Sequence, residues 1–233
     1  MVNLSLKSLN SSKKTTKTFK PFVVSNVFWS VSQYHQMQNI INKARELFMR
    51  YGIRNITMDK LSGELGISKK TLYQKIPNKS QLIQRIIKTF VEEQKVEISG
   101  IKENADHAIE EMHLIAEKAI EQIRRVPPSV PFELKKYFPE SWSIMEDYHN
   151  GFVLETIKDN LIRGIQEGLY RDDLNIDIIP VLYASKIPVI VDGEFFQDTK
   201  LSQEDIFKEF VLYHLHGVVS KEGNELINKY FNY

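Results

Sequence analysis

The stretch TMDKLSGELGISKKTLYQKIPNK, residues 57–79, decides the reading of this chain. Thr57 can cap a short helix whose inward positions are Leu61 and Leu65, and Gly66 ends it. Ser68 can cap a second short helix with Leu72 and Ile76 inward, and Pro77 forbids its continuation. Two short helices joined through Gly66-Ile67-Ser68 have the helix-turn-helix layout, in which a residue of the tight turn needs positive φ. Ser62, small and four residues before Gly66, leaves room for close approach. The outward residues of the second helix, Lys69, Lys70, Thr71, Tyr73, Gln74 and Lys75, include donors, acceptors and positive charge but no acid. That set suits a DNA major groove: lysine reads guanine or neutralises phosphate, glutamine pairs with adenine, and a threonine methyl meets a thymine methyl. Lys79 falls in the first turn of the next helix, where free backbone N–H groups attract phosphate.

So small a unit cannot stand alone, and apolar faces to hold it lie on both sides. Upstream, Ile40, Ile41, Ala44, Leu47, Phe48 and Tyr51 recur at the helical period, with Gly52 placed to terminate. Downstream, Asn78 and Gln81 resemble a capping box ahead of Leu82, Ile83, Ile86, Ile87, Phe90 and Val91. Residues 40–90 resemble the amino-terminal DNA-binding domain of the TetR/AcrR family of bacterial regulators. The resemblance is carried by Ile-Ile-x-x-Ala-x-x-Leu-Phe at 40–48, Tyr51-Gly52, Ile56-Thr57, Gly66-Ile67-Ser68, Thr71-Leu72-Tyr73 and Asn78-Lys79. It implies that Lys69, Lys70, Thr71, Tyr73, Gln74 and Lys75 lie on the DNA-facing helix headed by Ser68, and that Thr57, Tyr73 and Lys79 meet backbone phosphates. Ser62-Gly63 departs from the family's usual alanine and longer polar residue, and Gly63 costs that helix about 1 kcal/mol relative to alanine.

Charge divides the chain the same way. Residues 1–36 hold five lysines and no acid, residues 37–100 hold 12 Lys/Arg against 6 Asp/Glu, and residues 101–233 hold 14 against 24. The net values, +5, +6 and −10, suit a polyanion at one end and something else at the other. Of the first 20 residues 14 are Ser, Thr, Lys or Asn, so residues 1–36 read as a basic disordered arm or as a start-site misassignment ahead of Met37. The domain boundaries are then 37–90 for the helix-turn-helix domain and 91–233 for the remainder.

The remainder also reads as helices, making the fold class all-α. A helical pattern covers about Ala105 to Arg125, Pro127, Pro128 and Pro131 mark a loop, and Pro139 marks another before a long helix through Trp142, Phe152 and Leu161 to Gly168. Asn175 or Asp173 can start the next helix, and Ser202 can cap a last helix or broken pair. Val189-Ile190-Val191, between Pro188 and Asp192-Gly193, reads as a helix end at least as readily as a strand. The family resemblance implies that residues 91–233 bind a small-molecule effector and dimerise. Trp142, Tyr148, Phe152, Tyr183, His107 and His113 are pocket candidates, though core packing is the commoner fate of such residues. Two surplus apolar faces, Ile178, Ile179, Val181, Leu182, Ala184 and Ile187, and Phe207, Phe210, Val211, Leu215 and Val218, are the expected homodimer surface.

A rival from another class is a helical-bundle di-metal enzyme using Glu110/His113 and Glu146/His149. Chance spacing in a Glu-rich segment explains both pairs, and the two further glutamates such a site needs cannot be assigned. His214 and His216, two apart, face different sides of a helix. No phosphate-binding glycine loop or nucleophile motif is present, so neither a catalytic nor a metal residue is assigned, and no cofactor is expected. The absence of cysteine excludes disulfides and thiolate metal sites, and no run approaches the ~20 apolar residues of a membrane-crossing helix. The expectation is a cytoplasmic regulator with a double-stranded DNA operator as partner, released by an effector that the sequence does not name.

Overall fold

The computed structural model describes residues 21–192 and 200–231, with side chains described for 33–191 and 200–231. Helix α1 runs from Pro21 to Tyr51 and so begins well before Met37, correcting the expectation that the first helix starts after that residue. Proline suits a first helical position, residues 22–36 contain no glycine or proline, and extending a nucleated helix is far cheaper than starting one. The five lysines of the expected basic arm all fall in residues 1–20, outside the described residues.

The caps read from the sequence fix the next three helices. Gly52 takes φ +80° and ends α1. Thr57 Oγ1 accepts from the Lys60 N–H at 3.1 Å and starts α2 (Met58–Glu64). Gly66 turns the chain at φ +64°. Ser68 Oγ accepts from the Thr71 N–H at 3.0 Å to start α3 (Lys69–Lys75), and Asn78 Oδ1 accepts from the Gln81 N–H at 2.9 Å to start α4 (Lys79–Asn104). Each cap satisfies a donor the helix cannot bond internally, worth about 1 kcal/mol. Leu61, Leu72 and Ile76 have no exposed surface, and Ile40, Ile41, Ala44, Leu47, Phe48, Leu82 and Ile83 are buried. Full burial of each such aliphatic side chain stabilises by about 1.5–3 kcal/mol. Ser62 is buried with its hydroxyl on the Asp59 carbonyl, while Leu65 and Ile67 are only half-buried. Helix α4 passes without a break through residues 90 and 91, so the reading end and the remainder share one rigid element.

The remainder comprises α5 (Ala108–Arg125), α6 (Ser129–Tyr137), α7 (Pro139–Tyr148), a π-helical turn (His149–Val153), α8 (Leu154–Gln166), α9 (Ile179–Asp192), α10 (Gln203–Val218) and α11 (Lys221–Tyr230). Pro131 departs from the loop reading, while Val189-Ile190-Val191 after Pro188 form a helix end, one of the two readings the sequence allowed. Pro131 lies in the first turn of α6, where an N–H has no helical partner to lose, and Pro188 lies inside α9, which continues to Asp192. The end of α9 is instead held by Gln203, whose Nε2 donates to the carbonyls of Ile190 and Val191 at 3.2 and 3.0 Å. Gly168 ends α8 at φ +72°, and Ser202 and Ser220 cap the broken pair α10 and α11.

Helices α5, α8, α10 and α11 bury Ile109, Met112, Ile157, Leu161, Phe207, Val211, Leu215 and Ile227 in one core. This corrects half of the expected dimer surface: Phe207, Val211, Leu215 and Val218 face inward, and the exposed residues of α10 include Tyr213, 80% exposed. A helix stripe shows that a face is covered, not by which chain. Two glycines permit close approach here: a Cβ on Gly164 would lie 2.2 Å from the Tyr170 ring, and one on Gly223 would lie 2.0 Å from the Leu169 carbonyl oxygen. Polar groups tie the same core. Glu111, fully buried, meets Arg163 at 2.9 Å, and the Tyr170 hydroxyl donates to Asn160 Oδ1 at 2.9 Å while Asn160 Nδ2 donates to the Ala108 carbonyl.

Candidate nucleic-acid interface

Helix α3 presents Lys70, Tyr73 and Gln74 to solvent, with Thr71 and Lys75 half-buried at its edges. These side chains stand on one rigid turn because Leu72 and Ile76 anchor the opposite face. Gln74 is exposed, and Tyr73 is 44% exposed. Thr57 and Ser68 accept from backbone N–H groups as caps. Ser68 also shares a 2.8 Å hydrogen bond with the Thr71 hydroxyl.

Two lysines do not stand free. The Lys69 ammonium lies 2.6 Å from Asp59 of α2, both side chains being more than half exposed, so an acid accompanies the reading surface. A sequence reading confined to α3 misses it, because the partner sits ten positions back across the turn. Lys79 is half-buried, and its Nζ donates to the Arg54 carbonyl at 3.3 Å, between the Phe48 and Phe138 rings, each 5.9 Å from the ammonium. Burial holds this amine below its ordinary range, with Glu133 opposing the shift and Arg54 adding to it. The residue expected at a phosphate is thus turned toward α6 and α7. Lys60 and Arg50 flank the exposed Tyr51 ring at 4.6 and 5.2 Å, adding two cations beside α2 that the motif reading did not single out.

The expected pocket residues separate into different neighbourhoods. His107 and His113 pack against Tyr230 of α11, His113 also against Phe231, and His107 Nδ1 caps α5 by accepting from the Glu110 N–H. Trp142 Nε1 donates to Glu146 at 2.8 Å, Tyr148 stacks on Phe152, and Tyr183 lies between Phe210 and His214. Burial pushes His149 and His214 down to about 4, so both rings are neutral near pH 7. The di-metal alternative finds no support: Glu110 accepts from the Asp106 N–H, Glu146 is occupied by Trp142, and no group of three metal-ligating side chains occurs among the described residues. Among the same residues, no helix is long and apolar enough to cross a membrane.

Residues 40–86 match the family model of bacterial regulatory proteins, tetR family. A curated relative, the uncharacterized HTH-type transcriptional regulator YvaF of Bacillus subtilis, is 24% identical over 177 residues, 72% of this chain and 88% of that protein. The fold resembles a transcriptional regulator from Saccharomonospora viridis solved in complex with choline (TM-score 0.62, 15% identity, 81% of this chain and 100% of that one). It also resembles the regulator FadR of Bacillus subtilis in complex with stearoyl-CoA (TM-score 0.60, 17% identity, 77% and 98%). The capped helix-turn-helix and the family match over it identify residues 40–86 as a DNA-binding domain of the tetR family of bacterial regulatory proteins, and the chain as a whole resembles regulators built on that domain.

Proposed function

We propose that the chain acts as a cytoplasmic homodimer that occupies a pseudo-palindromic operator and represses transcription until a small molecule, bound within residues 91–233, alters the separation of the two α3 helices. The observation that carries this reading is the outward face of α3, where Lys70, Tyr73 and Gln74 stand exposed on a helix without an acidic residue. A single seven-residue reading helix offers few contacts, which favours pairing of two copies. Support for the pairing surface comes from α9 and the turn before it, where Ile178, Val181, Leu182 and Val189 follow helical spacing and are each between 43 and 56% exposed. Contiguous apolar surface of this kind marks an interaction site. Thr57, Ser68, Lys69, Lys70, Thr71, Tyr73, Gln74, Lys75 and Lys79 are the proposed DNA-contacting set, Gln74 reading a base and Lys79 gripping phosphate. The choline and stearoyl-CoA of the structural neighbours belong to those proteins, and the effector of this chain is left unnamed.

The test is selection of a duplex from random sequence, followed by light scattering of the free protein. We expect a dimer, two half-sites about 34–36 Å apart or a multiple of it, and a loss of ~1–3 kcal/mol with relaxed preference at one position per half-site for Gln74→Ala. A monomer at micromolar concentration that binds a lone half-site would overturn the dimeric reading. Equal weakening of selected and scrambled duplexes by Gln74→Ala would overturn its role as a reader.

A further inference from the structure

Helices α6 and α7 meet at an elbow that holds the turn between α1 and α2. Glu133 Oε2 accepts from the Arg54 N–H at 3.0 Å, and the same carboxylate lies so near Gly52 that a Cβ there would stand 3.3 Å from Oε1. The Arg54 guanidinium lies 4.4 Å over the Tyr137 ring and donates to its hydroxyl at 3.2 Å. Gln84 of α4 donates to Glu140 of α7 at 2.7 Å. Within this clasp sits the ammonium of Lys79, on the Arg54 carbonyl, beside Phe138 of the elbow and within the electrostatic reach of Glu133.

We propose that Glu133 competes with DNA phosphate for Lys79, so that the position of α6 sets how firmly the protein grips any duplex. This rests on the functional reading above and adds a regulatory residue that does not touch DNA. Lys79 carries one charge at one place. Donating to the Arg54 carbonyl puts the ammonium between Phe48 and Phe138, beside the elbow, and a phosphate that takes the ammonium must draw it from that carbonyl. The inward pose is held by the carbonyl of Arg54, the residue whose N–H Glu133 engages, so the carboxylate lies beside the buried cation and offsets part of the cost of its burial. Glu133 in turn is pinned by the Arg54 N–H, and it belongs to α6, outside the helix-turn-helix. Displacing α6 would remove the carboxylate and leave the lysine to a phosphate.

The experiment is a salt series on the duplex selected by the wild-type protein, using wild type, Glu133→Gln, Lys79→Gln and the double variant, after circular dichroism and melting confirm folding. Glutamine keeps an acceptor for the Arg54 N–H and removes only the charge. Glu133→Gln is expected to bind several-fold tighter at low salt and to steepen the salt dependence by up to about 1, the signature of one further phosphate contact. In the Lys79→Gln background the same change should leave the slope unaltered. An unaltered slope for Glu133→Gln, or an equal steepening with and without Lys79, would show a purely structural clasp or a general field effect and overturn the competition alone. A wild-type chain that selects no duplex would overturn the functional reading and the competition with it.

Discussion

Around Leu61 and Leu72 the amino-terminal helices bury aliphatic side chains, whereas α5 to α11 enclose Glu111, Ser141, His149, Asn160 and His214 among their apolar residues. In the first region the buried hydroxyl of Ser62 is returned to its own helix. In the second, Glu111 Oε1, Ser141 Oγ and His214 Nε2 are buried without a protein partner, as in the first are Nε and Nη2 of Arg45, whose Nη1 donates to Glu93. A polar group taken from water without a partner costs from one to several kcal/mol. The stability of the bundle therefore depends on charge state through a buried carboxylate and two buried histidines, groups that the core around Leu61 and Leu72 lacks. That difference suits a rigid element that presents side chains to DNA and a responsive element that adjusts to conditions.

The sharpest way to break the contrast is to remove the partner of a buried charge. Arg163→Met leaves the fully buried Glu111 without its guanidinium, and we expect a loss of about 3–5 kcal/mol in denaturant unfolding. A loss below about 1 kcal/mol would show that the bundle tolerates the charge and that the contrast is overstated.

Acid provides the next largest effect. His149 and His214 are pushed down to about 4 by burial, below the ~6.5 of an unfolded histidine. For a base with a depressed folded value, the stabilisation is complete above about pH 6.5 and is lost as pH falls toward about 4, because the unfolded chain takes up the proton first. The melting temperature should decline through that window, and the decline between pH 6.5 and 5 should flatten in the double variant His149→Leu/His214→Leu. Residues 40–104 contain no histidine, so hydrogen exchange in α2 and α3 should respond later than in α7 to α10. Simultaneous opening of both regions would erase the distinction.

The smallest effect probes the reading end. Asp59→Asn frees Lys69 from an exposed ion pair worth less than about 1 kcal/mol, so the melting temperature should hardly move. The salt dependence of DNA binding should steepen by up to about 1, equally on selected and scrambled duplexes. No change in slope would mean that Lys69 does not reach phosphate.

Local chemistry made the reading end legible. Thr57, Ser68 and Asn78 cap within three residues of themselves, and Gly52, Gly66 and Gly168 take positive φ where the periodic patterns stop. What escaped the sequence depends on partners distant along the chain. The inward turn of Lys79 follows from Arg54 and Phe138, and the need for glycine at 164 and 223 follows from Tyr170 and Leu169. The stripe of Phe207, Val211 and Leu215 was visible, but its periodicity does not say whether its own chain or a second one covers it. Pro131 differs from the loop reading for a related reason: a proline's cost depends on its position within a helix.

The π-helical turn at His149–Val153 has a rotational consequence. An α-helix advances its side chains by about 100° per residue, and a π-turn inserts one extra residue without ending the rod. Helices α7 and α8 are therefore two segments of one axis set out of phase, so that α7 addresses α4 while α8 addresses α5 and α9. Removing Gly151, which is exposed and meets no neighbouring atom within 4 Å of its Cβ position, would take out a residue with no packing of its own. It would nevertheless swing Trp142 and Leu161 by about a quarter-turn relative to each other. The angular offset between the face that meets the long helix from the DNA-binding end and the face that meets the rest of the bundle is thus encoded by the count of residues between them, and not by any single contact.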